Sequence, residues 1–379
     1  MTEIYIIRHA EAEGNIGRRI HGHYNTLITS NGLKQVAALK KRFENVPIDA
    51  CYASDLTRTC MTACAIYKPK GLTLHRDARY REVNLGIWED LPFGYLYNFE
   101  AEKIRIFNDD PLHWSIEGSE NFEQYTSRFI EALTEAAEAN DGKTIAIFTH
   151  GCILRGVQLK LFFDPEHPGK QHCDNTAVSR LFYENGHFTY DYLNDNSHLS
   201  SEISTLAKQN WWRSSGNTKD FNLYYEPLSD VKAFLSACEE IEQTLSRKSD
   251  EAERLAMLEK LRSEGEIVSA CLDGKQIGIV GTSLIKSIPD AACIDFIWLL
   301  PEYRHKEFAP QLIGQSISFA RKHGCKKLLL QVGERNKAAL RCYESQGFSV
   351  FGHSKKNPDE LQLCRNIDPY QVSFDEKQG

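Results

Sequence analysis

The sequence predicts two architectures in series: an α/β fold over residues 1 to about 195 and an α+β fold from about Asp220 onward. Three observations carry this reading. Strand-like and helix-like segments alternate through the first half, as they do around parallel sheets. In the second half the runs Glu266–Leu272 and Gln276–Leu284 meet at Asp273-Gly274, the turn of an antiparallel hairpin. A chain of 379 residues also exceeds the usual size of one domain.

Taken in order, Ile4, Tyr5, Ile6 and Ile7 form an apolar, β-branched run that reads as a buried strand. Thr29 caps a predicted helix carrying Leu33, Val36, Ala37 and Phe43 on one face. Ile48–Ala53 is a short strand, and a helix starting at Ser54 or Asp55 holds Arg58 in its first turn. Ser119 caps a longer helix, whose Phe122, Tyr125, Phe129, Leu133 and Ala136 recur at helical spacing and are expected in the core. Thr144–Thr149 is a second buried strand, with His150-Gly151 at its carboxyl end. The polar stretch 196–220, with a helix from about Leu199 and the pair Trp211-Trp212, reads as a connector between a domain over 1–195 and one over 221–370. Beyond it come a strand at Asn222–Pro227, helix over Asp230–Leu261, the hairpin, a strand at Ala292–Leu300, a helix at Ala309–Lys322 stopped by Gly324, a strand at Lys327–Val332 and a short helix at Lys337–Gln346.

Composition narrows the class. A net charge of −7 argues against a nucleic-acid or anionic-membrane partner. No apolar run reaches the length of a membrane span, and the N-terminus enters a strand at once, without the features of a signal peptide. The eleven cysteines are scattered with no CxxC pair, which points to reduced thiols in a cytoplasmic protein rather than to disulfides or a zinc site.

The first strand stops at Arg8-His9. In open α/β sheets, ligands bind beyond the carboxyl ends of strands. An Arg there can grip a phosphate bidentately, and a neutral His can attack it. The second strand ending in His150 repeats the pattern at the same edge.

Arg8-His9-Ala10-Glu11 with Asn15 resembles the Arg-His-Gly signature of the histidine phosphatase, or phosphoglycerate-mutase-like, superfamily, with Ala10 in place of the usual Gly and Ala12 in place of Thr or Ser. Tyr52–Thr59 is similar to the family's strand–Ser–helix segment, Arg81–Glu89 to the segment bearing its acid, Thr149-His150-Gly151 to its second histidine, and Asn25–Thr29 more loosely to a segment usually written with Asp and Pro. The resemblance implies a three-layer α/β/α fold around a mostly parallel sheet, and a phosphomonoesterase that needs no metal. It also implies site roles. Arg8, Arg58, Asn15, His150 and Gly151 would bind phosphate, and His9 would attack phosphorus to give a phosphohistidine. Glu82 would donate a proton to the leaving group and then serve as base, with Glu89 and Glu11 as alternatives. His21, His23, His113, His167 and His172 read as ordinary loop residues. The Leu-Gly-Ile-Trp-Glu run after Asn84 is closer to small-molecule phosphatases than to mutases. Aromatic residues over Phe93–Phe99 and at Trp114 lie where a lid would close, and suit either an apolar leaving group or a packed lid.

Residues 221–366 resemble the GNAT family of acyl-CoA-dependent N-acetyltransferases, through Ile297–Arg304 running into a helix and through Asn336–Phe348. This implies a mixed, mainly antiparallel sheet, acetyl-CoA as cofactor and an amine acceptor. Leu299, Leu300 and the loop Arg304, His305, Lys306, Glu307, Phe308 and Ala309 would line the cofactor, whose pyrophosphate suits a helix N-terminus. Asn336 would bond its arm, and Tyr343 would protonate the thiolate or else serve as a core aromatic. The family loop usually has Gly where Glu307 stands. Two like charges about 5 Å apart at an effective dielectric near 20 repel by about 3 kcal/mol, on the order of a hundredfold in affinity. A binding or scaffold module that has lost CoA chemistry is therefore the rival reading of this half. A phosphoglycerate mutase is the rival reading of the first.

Overall fold

The computed structural model describes residues 1–162, 172–209, 221–245, 249–354, 357–372 and 374. Trp211-Trp212 and His167 lie outside the described residues.

The first half runs β1 (Thr2–Arg8), α1 (Glu13–Gly17), α2 (Ser30–Arg42), β2 (Ala50–Ala53), α3 (Thr57–Ala63), β3 (Leu74–Arg76), α4 (Phe93–Phe99), α5 (Ala101–Asp109), α6 (Phe122–Glu138), β4 (Thr144–Thr149), α7 (Gly151–Phe162), β5 (Val178–Glu184), β6 (His187–Asp195) and α8 (Thr205–Lys208). Its six strands order as β3-β2-β4-β1-β5-β6, with the first four parallel and the last two antiparallel. Alternation along β1 and β4 divides the core between two faces. Ile4, Ile6, Ile145 and Ile147 pack with Phe129 and Leu133 of α6 on one side. Tyr5, Ile7, Ala146 and Phe148 pack with Leu39, Phe43 and Ile66 on the other. The result is the expected three-layer α/β/α arrangement.

The second half runs β7 (Tyr224–Pro227), α9 (Val231–Leu245), α10 (Glu251–Glu264), β8 (Gly265–Leu272), β9 (Lys275–Leu284), β10 (Ala291–Leu299), α11 (Ala309–Lys322), β11 (Lys327–Gly333), α12 (Lys337–Ser345), β12 (Ser349–His353) and β13 (Glu360–Asn366). Its seven strands order as β12-β13-β11-β10-β9-β8-β7, and only β10 and β11 are parallel. These two pair over Ala291–Ile294 and Lys327–Leu330 and then part; the β10–β9 ladder shifts register at that point, between Ile294 and Phe296. Helices α11 and α12 cover one face, and α9 and α10 the other. Asp273 and Gly274 both adopt positive φ, 47° and 77°, the geometry the hairpin turn requires.

Several local expectations are corrected. Thr29 does cap α2, accepting from the Gly32 N–H at 2.9 Å, but Leu33 is 56% exposed; the buried positions are Gly32, Gln35, Leu39 and Phe43. Gln35 is drawn inward because its amide accepts from the Glu11 N–H at 2.7 Å and donates to the Ile203 carbonyl at 2.8 Å. Helix α3 starts at Thr57, later than Ser54 or Asp55, since Ser54 turns its hydroxyl to His150. The cap of α6 is Asn121, in a reciprocal pair with Gln124, whereas Ser119 bonds the Ile116 backbone. The connector helix begins at Thr205 rather than Leu199, with Ser204 as its cap. The helix over Asp230–Leu261 is two helices, the second restarted by Asp250.

The two halves share buried polar contacts. Helices α1 and α11 approach closely at Gly17 and Gly314, where a Cβ on Gly314 would stand 3.3 Å from the Gly17 Cα. Around this crossing Arg19 bonds Gln315 and Ser318, and Glu13 bonds Arg321 and Arg365. The aromatic stretch Phe93–Phe99 also meets the second half. Gly94 lies against the Leu223 backbone, and the Phe99 ring sits 5.3 Å from that of Tyr224. Trp114 is buried beside Phe107 and Trp88. Of the two readings for these aromatics, packing accounts for these contacts.

Candidate active site

Strands β1 and β4 are parallel neighbours in a register that pairs Arg8 with Thr149, so Arg8-His9 and His150-Gly151 leave the sheet at one edge. Strand β2 pairs with β4 and ends beside them, which brings Ser54 and the first turn of α3 to the same place. Three segments far apart in sequence thus converge. The His9 and His150 ring centroids are 5.2 Å apart, and Arg58 Nε donates to His150 Nδ1 at 3.2 Å.

His9 Nδ1 lies 2.7 Å from the Ala10 carbonyl. A carbonyl only accepts, so that nitrogen carries the proton and Nε2 keeps its lone pair. Burial, then the Arg58 and Arg8 charges, hold the His9 pKa well below the usual histidine value, so the ring is neutral. His150 is depressed likewise, by burial, Arg58 and His9. Its Nδ1 accepts from Arg58, so its Nε2 donates to Ser54 Oγ at 2.9 Å. A protonated His150 would add a donor to the phosphate; here its ring is neutral, with both nitrogens engaged.

Arg58 is fully buried, and burial lowers its pKa to about 10, which leaves it charged at neutral pH. Its remaining hydrogen bonds go to the carbonyls of Tyr24 (2.9 Å), His21 (3.2 Å) and Gly22 (2.7 Å). No carboxylate is among these hydrogen-bond partners, although the Glu82 and Glu89 charges favour the charged guanidinium. Arg8 bonds the Cys173 carbonyl, while its buried Nε has no hydrogen-bond partner among the described residues. Gly151 leaves room here: a Cβ would stand 3.0 Å from that Nε, so a larger residue would require the guanidinium to give by a few tenths of an ångström.

Other predicted residues are placed differently. The Glu82 carboxylate accepts from the N–H groups of Cys152 (2.9 Å), Ile153 (2.7 Å) and Val83 (3.1 Å), closing the N-terminus of α7. Asn15 Oδ1 accepts from the Ala12 N–H at 2.9 Å and braces the start of α1. Arg81 pairs with Asp55 rather than Glu82. Glu11 accepts from Thr29, Asn31 and Thr205, a bracing role. Glu89 accepts from the N–H groups of Gly22, His23, Tyr24 and Leu85, at 2.8–3.1 Å, and so holds the loop whose carbonyls bind Arg58. His21 is not an ordinary loop residue. It is buried, stacked on Tyr24 at 5.0 Å and 3.6 Å from Asp90. Glu89, expected only as an alternative acid, instead holds this loop, and His21, expected as an ordinary loop residue, lies outside every matched segment, so nothing in the sequence marks it.

In the second half, the loop before α11 keeps the backbone turn that glycine favours, with φ of 61° at His305 and 63° at Glu307. Its charges work against a pyrophosphate. Glu307 adds a carboxylate, and the Arg304 guanidinium is spent on Glu240 and the Leu299 carbonyl. The Leu300 N–H pairs with the Ile277 carbonyl at 2.9 Å. Lys306 lies over the Tyr303 ring, Phe308 is buried in the core, and Ala309 opens α11. Asn336 caps α12, accepting from the Ala339 N–H at 3.1 Å. Tyr343 is buried beside Phe348, and burial raises its pKa above the usual phenol value. The backbone of this cradle fits the cofactor's phosphates; its charged side chains do not.

Comparison with known proteins agrees with this division. Residues 232–348 match the acetyltransferase (GNAT) family, whose members in general bind acetyl-CoA. Proteins named "Probable phosphoglycerate mutase GpmB" from Yersinia pestis and Yersinia pseudotuberculosis are each 29% identical over 185 residues, which is 48% of this chain and 86% of the relative. The solved structure of Bacillus stearothermophilus YhfR is 26% identical with a TM-score of 0.50, covering 53% of this chain and 100% of YhfR. Residues 4–196 match the histidine phosphatase superfamily (branch 1), and the chain, a histidine-type phosphatase fused to a GNAT domain, belongs to that superfamily.

Proposed function

We propose that the first domain hydrolyses a small phosphomonoester through a phosphohistidine, with cationic side chains rather than a metal carrying the phosphate charge. The observation that carries this is the meeting of neutral His9 with Arg8 and Arg58 at one sheet edge. Arg8 and Arg58 hold the phosphate oxygens. His9 Nε2 attacks phosphorus in line, forming the N–P bond as the P–O bond to the leaving group breaks. The leaving alkoxide takes a proton from an acid. A water then gives its proton to the same group and its oxygen to phosphorus, and the N–P bond breaks to release phosphate. Glu82 is assigned as that acid and base; the role requires it to exchange one of its three N–H bonds at the start of α7 for the substrate oxygen. His150 holds the Arg58 guanidinium through Nδ1. Asn15, on α1 beside the catalytic segment, contributes an amide to the phosphate.

Replacing His9 by Ala should reduce aryl phosphate turnover by on the order of 10⁴-fold or more, followed as phosphate release by the full chain; retained turnover would remove the nucleophile. Replacing Glu82 by Gln should cost about 10²–10⁴, with a larger loss for substrates with poor leaving groups. The names of the relatives favour a second reading, phosphoglycerate isomerisation; interconversion faster than phosphate release would select it. For the second domain, acetyl transfer to an amine is tested by calorimetry with acetyl-CoA. No heat at high micromolar ligand would favour a supporting role for that domain.

A further inference from the structure

The loop that aims Arg58 is anchored from two sides. One anchor is Glu89, within the first domain. The other crosses the domain boundary. Asp90 lies 3.6 Å from His21 and accepts from Arg19 at 2.8 Å and from Ser318 of α11 at 2.5 Å. Glu13, 6% exposed, accepts from the Leu27 N–H at 3.3 Å and pairs with Arg321 (2.8 Å) and Arg365 of the second domain. Arg321 also lies 5.9 Å from the centre of the Tyr24 ring, and the Tyr24 carbonyl is one of those that bind Arg58. A cavity of about 20 Å³ lies among these groups, room for about one water.

We propose that Ser318, Arg321 and Arg365 of the second domain are positioning residues for the phosphatase, acting through Asp90, Glu13 and the 21–24 loop to aim Arg58 at phosphate. An interface pair that merely docked the domains would have no need to sit two residues before Asn15 or against the loop that binds Arg58. The histidine phosphatase match spans residues 4–196, so the anchoring supplied by residues 321 and 365 comes from outside it. Glu13 divides its two carboxylate oxygens between Arg321 and Arg365. Without Arg321, Glu13 and the start of α1 should therefore shift toward Arg365.

The test uses the full chain and two probes, orthovanadate as an oxyanion and an aryl phosphate as substrate. Arg321→Met should raise the vanadate inhibition constant about tenfold and lower kcat/KM by a similar factor, at a temperature where the variant is folded. Arg321→Lys should recover part of both. Ser318→Ala, which leaves every charge paired, should raise the vanadate constant about threefold, and it decides the matter if Arg321→Met does not fold. A folded Arg321→Met chain with vanadate affinity and kcat/KM within twofold of wild type overturns the proposal, as does an unchanged vanadate constant in Ser318→Ala in the case where it decides. The proposal rests on the phosphohistidine reading. A wild-type chain that neither hydrolyses the ester nor binds vanadate overturns both, whereas an active chain with silent variants overturns only the coupling.

Discussion

The chain contains two loops of the same design, each leaving the end of a strand and entering a helix: Arg8–Asn15 after β1, and Leu300–Ala309 after β10. Both carry an Arg, and in both families the position serves an anion. They differ in what partners the charges keep. At the first site Arg8 bonds the Cys173 carbonyl, and Arg58, brought alongside by α3, is held by three carbonyls and a neutral imidazole. At the second, Arg304 is paired with Glu240, and Glu307 brings a carboxylate to the turn. Dipolar partners fix a guanidinium in place without neutralising it, whereas a carboxylate consumes it. A burial-weakened cation among dipoles is a site waiting for an anion; a cation already paired is part of the scaffold.

The comparison is sharpened most by Arg58→Met. It should lower kcat/KM for an aryl phosphate by about 10²–10³, whereas Arg304→Met should leave that activity unchanged; equal effects in steady-state kinetics would erase the distinction. Next, Glu307→Gly should raise acetyl-CoA affinity by on the order of a hundredfold, read by calorimetry. It should also stabilise the fold by about 1 kcal/mol, because Gly accepts the left-handed φ that Glu resists.

A third prediction concerns acid. His9 and His150 bind protons less readily folded than unfolded, so their contribution to stability falls as pH drops below the ordinary histidine value of 6.5. Burial opposes the Glu13 carboxylate, but Arg321 and Arg365 outweigh it and hold its carboxyl below the usual Glu range. Burial likewise opposes Asp90, and His21 and Arg19 prevail. Those contributions are present above the ordinary carboxylate range and are lost as pH falls through it toward the depressed values. All four act in one direction, so Tm should fall from pH 7.5 to pH 5 and more steeply below about pH 4.5. A Tm that rises on acidification to pH 5 would contradict this. The smallest effect should come from Leu33→Ser, within about 0.5 kcal/mol in denaturant unfolding, since Leu33 stands in solvent.

Much of the fold was legible because it is written in local patterns. The isoleucine run in β1, the stripe Phe122–Ala136 of α6 and the Asp273-Gly274 turn each specify an element through nearest neighbours. Where the reading slipped, a long-range partner had overridden local preference. Leu33 lost its expected place to Gln35, which is polar yet buried because Glu11 and Ile203 satisfy it. Ser54 was an acceptable cap by type, but His150 claims its hydroxyl. Strands β12 and β13 went unread because their residues alternate weakly and are fixed by pairing with each other and with β11.

By itself the sequence determined which residue types stand at the ends of which strands, and hence that arginines and histidines gather at one sheet edge. It also determined that a carboxylate interrupts the second loop. Only the tertiary structure decided which partners the charged groups take: Arg304 pairs with Glu240, Glu82 rests on the first turn of α7, and Glu13 pairs with two arginines of the other domain. The physical reason is that a residue's type fixes what it can donate or accept, while its partner is chosen by whatever the fold brings within about 3 Å.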